Sequence, residues 1–131
     1  MISPSDRAEI LETVSRADWA ATHRDADAYV ALFTDDAVLD GAQGDHPGRE
    51  AIHLAVGPVW AAEGPASLHL TLNAVVEAVD AGGGGATARS ILLIVAPGAP
   101  PSIVSVHEIV QTLVRGDTGW LIQRRSVAIA D

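Results

Sequence analysis

The start of the chain carries apolar residues at helical spacing. Ser3, Pro4 and Asp6 are typical of a helix start, because a serine caps the helix, a proline suits the first turn and an acid completes the capping box. The apolar positions that follow predict a first helix near residues 4–23; they are Ile10, Val14, Ala17 and Ala21. Trp19 and Thr22 lie three residues apart and therefore share a face close to that stripe.

Two further helices are indicated before the long strands begin. The segment "DADAYVALF", residues 25–33, predicts a short second helix with Asp25 as its cap. Residues 34–40 then turn into a strand, and residues 41–48 form a loop rich in Gly, Asp and Pro. A third helix is predicted over residues 49–62, with its inward positions at Ile52, Val56, Val59 and Trp60.

The second half of the chain alternates long strands with hairpin turns. The strands are predicted at residues 67–79, 87–96, 102–114 and 120–130, and the turns between them at 80–86, 97–101 and 115–119. This order predicts an α+β fold in which a curved antiparallel sheet has one face covered by the three helices. The chain shows no linker and no internal repeat, so residues 1–131 are expected to form a single domain.

Alternation along the strands places polar groups among apolar ones on both faces. His69, Thr71 and Asn73 are expected to share a face of their strand. On the strand 102–114 one face carries Ile103, Ser105, His107, Ile109, Gln111 and Leu113. Such a mixture is expected of a strongly curved sheet in which one face lines a cavity.

His69 and His107 are the two strand histidines, and they are the candidate catalytic pair. An imidazole takes up and releases a proton near neutral pH, so two of them in an apolar pocket would form an acid/base pair. The alternative is that each ring satisfies a local hydrogen bond or projects at a strand end. The sequence leaves both interpretations open.

The other histidines indicate less chemistry. His23 ends the first helix, where it suits the negative end of the helix dipole. Asp45, His46 and His53 match no recognised metal-binding spacing, so a solvated loop is expected there and no metal site. The run "GGGG" at 82–85 precedes no helix that would hold a phosphate, so it indicates a flexible loop.

Composition excludes several classes of function. Asp and Glu number 17 against eight Arg and no Lys, and the formal charge of −9 argues against nucleic acid or membrane surfaces as partners. The absence of cysteine excludes disulfides, thiolate zinc sites and thiol nucleophiles. The start "MISPSDRAEI" is not that of a signal peptide, and the apolar run 91–96 is too short to span a bilayer, so a soluble cytoplasmic protein is expected.

Several segments together resemble one family. "RDADAYVALFTDDAVLD", "GREAI", "HLTLN", "ATARSILLIV" and "LVRGDTGWLIQRRSV" are similar, in order and spacing, to the SnoaL-like branch of the nuclear-transport-factor-2-like superfamily, from about residue 8 to 128. This branch is related to ketosteroid isomerase, scytalone dehydratase, limonene epoxide hydrolase and polyketide cyclases. The resemblance implies a cone, in which a bent antiparallel sheet wraps around three helices, and a homodimer formed through the sheet.

The resemblance also implies roles for individual residues. His69 matches the strand histidine that acts as the base in the dehydratase and dehydrochlorinase branches. Thr22 stands where those enzymes place an aspartate beside that histidine, so His69 is expected to lack its carboxylate partner. His107 matches a hydroxyl side chain near the base and is expected to fill the missing role. Ile91 replaces the carboxylate of the epoxide hydrolase and argues against that chemistry.

Thr22 and the remaining candidates are expected to bind substrate. Arg89 either polarises a substrate carbonyl or pairs with Glu77 or Glu108, and Gln111 replaces an aspartate of many relatives. Asn73 joins this set because it shares the predicted face of His69. The apolar wall of the pocket, or alternatively the core, is expected to contain Trp19, Phe33 and Trp60.

Two classes of function follow from these residues. The first is a cofactor-free lyase or isomerase, dehydratase- or cyclase-like, that uses a pocket histidine as general acid/base on a small apolar carbonyl or polyketide-like compound. The second is a binding or dimerisation module that keeps the cone without catalysis. Thr22 and Gln111, each where a carboxylate is expected, favour the second, whereas two inward histidines favour the first.

Overall fold

The computed structural model describes residues 2–41, 43–80 and 82–130. The helices are α1 (Pro4–Thr22), α2 (Ala26–Val30) and α3 (Arg49–Ala62), and the strands are β1 (Phe33–Gly41), β2 (Gly44–Pro47), β3 (Leu68–Val79), β4 (Gly85–Ala96), β5 (Ser102–Gly116) and β6 (Gly119–Ile129). The predicted α+β class, with three helices against one curved sheet, is confirmed. No helix in these ranges is long and apolar enough to cross a membrane.

Local capping chemistry explains where the first two helices begin. The Asp6 N–H donates to Ser3 Oγ at 3.1 Å, and the Ala28 N–H donates to Asp25 Oδ1 at 2.9 Å. Both caps were readable from the sequence because each satisfies a free N–H within three residues of the capping side chain. The second helix ends before its predicted limit, since β1 already begins at Phe33.

The six strands form one sheet in the order β2-β1-β6-β5-β4-β3. All neighbours are antiparallel except β1 and β6, which run parallel. The predicted loop 41–48 is wrong for its second half, because Gly44–Pro47 pairs back onto β1 as the edge strand β2. Residues 42 and 81 of the two predicted loops lie outside the described residues.

A β-bulge in β3 overturns one assignment made from alternation. Leu72 pairs with Ile91, but the next pair is Val75 with Arg89, so β3 carries an additional residue there. Asn73, at this bulge, has φ +53° and is exposed. The prediction that Asn73 shares the inward face of His69 is therefore wrong.

A charged cluster attaches the start of α1 to the β5–β6 hairpin. Arg115 donates to both carboxylate oxygens of Asp6 at 3.0 and 2.7 Å and lies over the Trp120 ring at 4.8 Å. The Trp120 indole also donates to Asp6, at 3.2 Å. These hydrogen bonds, above all those from Arg115, hold the pKa of the Asp6 carboxyl well below its ordinary value. The cluster fixes the direction in which α1 crosses the sheet.

The core fills the inner side of the sheet in two parts. The larger cluster joins α1, α2, α3 and β1 to the inner residues of β4 to β6, with Ile10, Phe33, Ile52 and Ile122 fully buried. A smaller cluster contains Leu92, Ile94 and Ile109, with Val127 packed against it. Three of these four side chains, together with those of α3, line a cavity.

Candidate functional site

A cavity of about 200 Å³ lies between α3 and the inner face of the sheet. Val56, Val59 and Trp60 form its helical side, and Leu92 and Ile94 lie on the strand side. Most of its wall is therefore apolar, as in sites for small organic molecules. The polar groups in this wall are few, and each has a defined position.

His69 pairs with a carboxylate in the cavity wall. Its Nε2 lies 2.7 Å from Oε2 of Glu63, and the two side chains are only 4% and 11% exposed. Glu63 caps the C-terminus of α3, where the helix dipole disfavours a negative charge. A buried carboxylate in that position needs a compensating donor, and the imidazole of His69 supplies it.

Backbone contacts hold this pair in place. The His69 N–H donates to Thr22 Oγ1 at 2.8 Å, so α1 fixes the start of β3. Ser67 Oγ donates to the Glu63 carbonyl at 2.6 Å, and Arg24 donates to the Ala21 and Gly64 carbonyls, both at 2.7 Å. The chain between Glu63 and His69 is therefore tied to the end of α1, which limits the freedom of the pair.

Thr22 does not leave His69 without an acid. The sequence predicted that no carboxylate partners this imidazole, and that prediction is wrong because Glu63 takes the place beside Nε2. The hydroxyl of Thr22 instead contacts the backbone of His69, so its role in the described structure is to position the strand.

His107 faces the same cavity from β5. Its Nε2 lies 2.9 Å from Ser105 Oγ. His107 pairs with Leu92 and His69 pairs with Ile94, so the two histidines lie two strand spacings apart across β4 and two residues apart along it, roughly 12 Å between their backbones. Burial lowers the pKa of His107, with a smaller lowering from His69, while Glu63 acts in the opposite direction. His107 is consequently a neutral imidazole at neutral pH, and a molecule bound in the cavity would lie between the two rings.

A buried ion pair closes the inner end of the site. Arg125 lines the cavity and donates to Asp18 Oδ1 at 2.5 Å, and both side chains are at most 3% exposed. Thr71 donates to the other Asp18 oxygen, and Gln111 Oε1 accepts from Arg125 at 3.3 Å. The guanidinium also lies 5.8 Å from the Tyr29 ring centre, where burial raises the pKa of the phenol and keeps it protonated. The network neutralises the Arg125 charge inside the protein.

Three of the predicted site residues lie in the cavity wall: His69, His107 and Trp60. Two others are buried away from it. Phe33 packs in the core against Tyr29, with ring centres 5.0 Å apart, and Gln111 is hydrogen-bonded to Arg125. For Phe33 the core-packing alternative therefore describes its position.

The other predicted substrate-binding residues lie outside the cavity. Trp19 is 62% exposed and stacks on the His23 ring at 5.4 Å. Arg89 is on the outer face of the sheet and pairs with Glu77 and Glu108, each at 3.3 Å. For Arg89 the pairing alternative therefore describes its position. The place in the pocket is wrong, because its position on β4 alternates with the inward Ala88 and Ser90.

Three residues of the site were missed by reasoning from the sequence: Glu63, Asp18 and Arg125. Asp18 adjoins the buried stripe of α1, which was a readable signal for a buried acid. Glu63 follows the third helix directly and carries no such pattern. Arg125 faces inward only because a register shift between β5 and β6 interrupts the alternation that begins with Trp120 and Ile122.

The histidines considered for a metal lie apart from one another. His53 Nε2 is 2.8 Å from Asp27 Oδ1 at the surface, whereas His46 lines the cavity from β2. Within residues 2–41, 43–80 and 82–130 no group of three or more His, Asp or Glu side chains is placed to hold a metal ion.

Known proteins share this architecture. The model of the SnoaL-like domain family matches residues 3–126. A protein of unknown function with a cystatin-like fold from Nostoc punctiforme superposes with a TM-score of 0.88 at 19% identity, over 98% of this chain and 94% of that chain. No curated protein matches the chain.

Two further solved structures are similar. An NTF2-like protein with a cystatin-like fold from Novosphingobium aromaticivorans has a TM-score of 0.82 at 26% identity, over 97% of this chain and 83% of that chain. A protein from Catenulispora acidiphila in complex with S-DNPA has a TM-score of 0.77 at 20% identity, over 92% and 90%. The cone-shaped fold expected from the sequence is confirmed by these neighbours.

Proposed function

The chain belongs to the SnoaL-like domain family, and from this premise we propose that it is a cofactor-free lyase or isomerase acting on a small apolar carbonyl compound. In this proposal His69 is the general base and acid, and the cavity beside α3 holds the substrate. A relative of the same fold is solved with a small organic molecule, which supports a ligand of that kind.

The observation that carries the proposal is the buried pair of His69 and Glu63 in an apolar cavity wall. With Nε2–H donating to the Glu63 carboxylate, the lone pair of the imidazole lies on Nδ1. No described residue forms a hydrogen bond with Nδ1, which is buried. The carboxylate would stabilise the imidazolium that forms when Nδ1 takes a proton.

The chemical step is a proton transfer next to a carbonyl. His69 Nδ1 takes the proton from carbon, and the C–H electron pair moves to form an enolate with its charge on the carbonyl oxygen. Return of the proton to another carbon completes an isomerisation. Loss of a β-hydroxyl group, protonated as it leaves, completes an elimination with release of water.

His107 would stabilise the enolate oxygen. With Ser105 donating to Nε2, its proton lies on Nδ1. Burial lowers the pKa of His107, so the ring is neutral and its Nδ1–H donates a hydrogen bond without protonating the oxygen. The two rings thus have different roles: His69 transfers the proton and His107 stabilises the enolate oxygen. The alternative function, a non-catalytic binding module, uses the same cavity to hold a ligand without proton transfer.

We expect hydrogen–deuterium exchange at the carbon beside the carbonyl of cyclic ketones such as 2-tetralone, measured by NMR in D₂O. His69→Gln should lower the exchange rate about a hundredfold to ten-thousandfold, as for loss of a general base. Glu63→Gln should lower it about tenfold to a hundredfold, as for loss of a partner that orients the base.

The matched control is Glu77→Gln, which changes the same residue type on the outer face of the sheet and should leave the exchange rate unchanged. All variants are compared at equal folded fraction, determined by circular dichroism. Exchange that persists in His69→Gln contradicts the proposed base. Ligand binding without exchange, and with the same affinity between about pH 5 and 8 where imidazole titrates, would favour the binding module.

We also propose that two chains pair through the outer face of β3 to β5. Leu68, Leu70, Leu72 and Val75 on β3 and Val104 on β5 are 38–49% exposed, and soluble monomers rarely expose large contiguous apolar patches. Sedimentation velocity at micromolar concentration should show a dimer, and Leu70→Glu should convert it to a monomer. Leu54→Glu on α3, where the leucine is 70% exposed, is the matched control and should remain dimeric. A wild-type monomer would contradict this pairing.

A further inference from the structure

The cavity wall holds a carboxylate, Glu63, that forms no ion pair with a guanidinium of the described residues. Glu63 reaches the cavity with 11% of its side chain exposed, and its described partner is the imidazole of His69. An acid in an apolar wall sets the local electrostatic field, because few polar groups surround it and water screens it poorly.

The guanidinium in the wall does not offset this carboxylate. Arg125 lines the cavity, but one of its amino groups donates to Asp18 at 2.5 Å and the other donates to Gln111 at 3.3 Å. The pair is buried and Asp18 lies beside the guanidinium, so the field of these two opposite charges falls off faster with distance than that of the unpaired charge of Glu63. Arg125 therefore offers little attraction to an incoming anion.

The remaining polar side chains in the described wall are the imidazoles of His46 and His107, the amide of Gln43 and the phenol of Tyr29. His46 reaches it from β2 and His107 from β5, and burial keeps His107 neutral at neutral pH. The other lining side chains are aliphatic or aromatic, most of them from α3 and from the inner face of the sheet. The neutral imidazole of His107, an uncharged amide and phenol, and one carboxylate suit an uncharged guest.

We propose that Glu63 is a specificity-determining residue that restricts the cavity to uncharged ring compounds and excludes those that carry a carboxylate. This inference rests on the proposed function in taking the cavity as the substrate site. A carboxylate that enters loses its hydration and meets a like charge across a short, poorly screened distance. The formal charge of −9 on the whole chain further lowers the concentration of anions at the entrance.

The test compares two ligands of the same shape and different charge, 4-ethylbenzamide and 4-ethylbenzoate. Their affinities are measured by calorimetry at pH 8, above the ordinary titration range of imidazole. We expect the amide to bind at least about tenfold more tightly than the carboxylate. In Glu63→Gln that ratio should fall by about fivefold or more, because the carboxylate binds better once the like charge is removed.

Glu77→Gln removes the same formal charge from the outer face and should leave the ratio unchanged, which separates the charge of Glu63 from the net charge of the chain. Glu63→Met is the second variant, chosen because an unbranched apolar side chain of similar length can fill the space if the glutamine distorts the pair with His69.

Equal binding of amide and carboxylate by the wild type overturns the inference, as does a ratio that stays the same in both folded Glu63 variants. Binding is measured without turnover, so the result is independent of catalysis. If the protein shows the expected ratios of amide to carboxylate affinity but catalyses no hydrogen–deuterium exchange, only the proposed enzymatic activity is refuted. An unselective cavity with His69-dependent exchange would refute only the role of Glu63 in specificity.

Discussion

Asp18→Ala is expected to lose about 3–5 kcal/mol of the free energy of unfolding, because it leaves the guanidinium of Arg125 buried without its counter-charge. Domains of this kind have roughly 5–15 kcal/mol in total, so the substitution should remove between about a fifth and all of the stability of the domain. Urea denaturation at pH 7, followed by tryptophan fluorescence and circular dichroism, measures the loss. The double substitution Asp18→Leu with Arg125→Met should recover much of it, since an apolar pair needs no counter-charge.

A surface pair of the same two residue types supplies the control. Asp35 lies 2.9 Å from Arg49, but its side chain is 94% exposed, so Asp35→Ala should cost less than about 1 kcal/mol. Burial rather than the presence of an ion pair then accounts for the difference. A loss below about 1 kcal/mol in Asp18→Ala would show that water reaches Arg125 in the interior. That result would contradict the buried ion pair described above.

The elements that were predictable from the sequence are those fixed by neighbouring residues. The third helix occupies residues 49–62 as predicted, because its apolar stripe and the preceding Gly48 act within a few residues. The inward face of β5 was also predictable, since Ile109, Gln111 and Leu113 follow strict alternation and are fully or almost fully buried. Local periodicity suffices wherever no bulge interrupts it.

The site depends on contacts that periodicity does not encode. Asp18 and Arg125 are 107 positions apart, and the register shift in β6 turns Arg125 inward where alternation from Ile122 would have pointed it outward. Asn73 adopts its positive φ without a glycine to mark the bulge. Glu63 meets His69 only because the intervening turn is held by Arg24 and Ser67. The fold was therefore predictable from the sequence, whereas the contacts that form the site were not.

The sequence predicts that Phe33 and Trp60 both belong to the apolar wall of the pocket, but only Trp60 lines the cavity in the structure. Phe33 is fully buried in the core beside Tyr29, whereas Trp60 contacts both the core and the cavity. A residue of the first kind supports the fold, and a residue of the second kind also meets the ligand. Stability and ligand affinity, measured on the same variants, distinguish the two.

Phe33→Ala is expected to lose about 3–5 kcal/mol of the free energy of unfolding, through lost burial and the space that the ring leaves. The affinity of the remaining folded protein for 4-ethylbenzamide should stay within about twofold, because Phe33 does not line the cavity and reaches it only through Tyr29. Trp60→Phe should show the opposite pattern, with a smaller loss of stability and weaker binding. Phe33→Leu, which keeps part of the volume, should lose less than the alanine variant. If Phe33→Leu folds well yet binds the amide about tenfold more weakly, the cavity extends to Phe33 and its placement in the core alone is wrong.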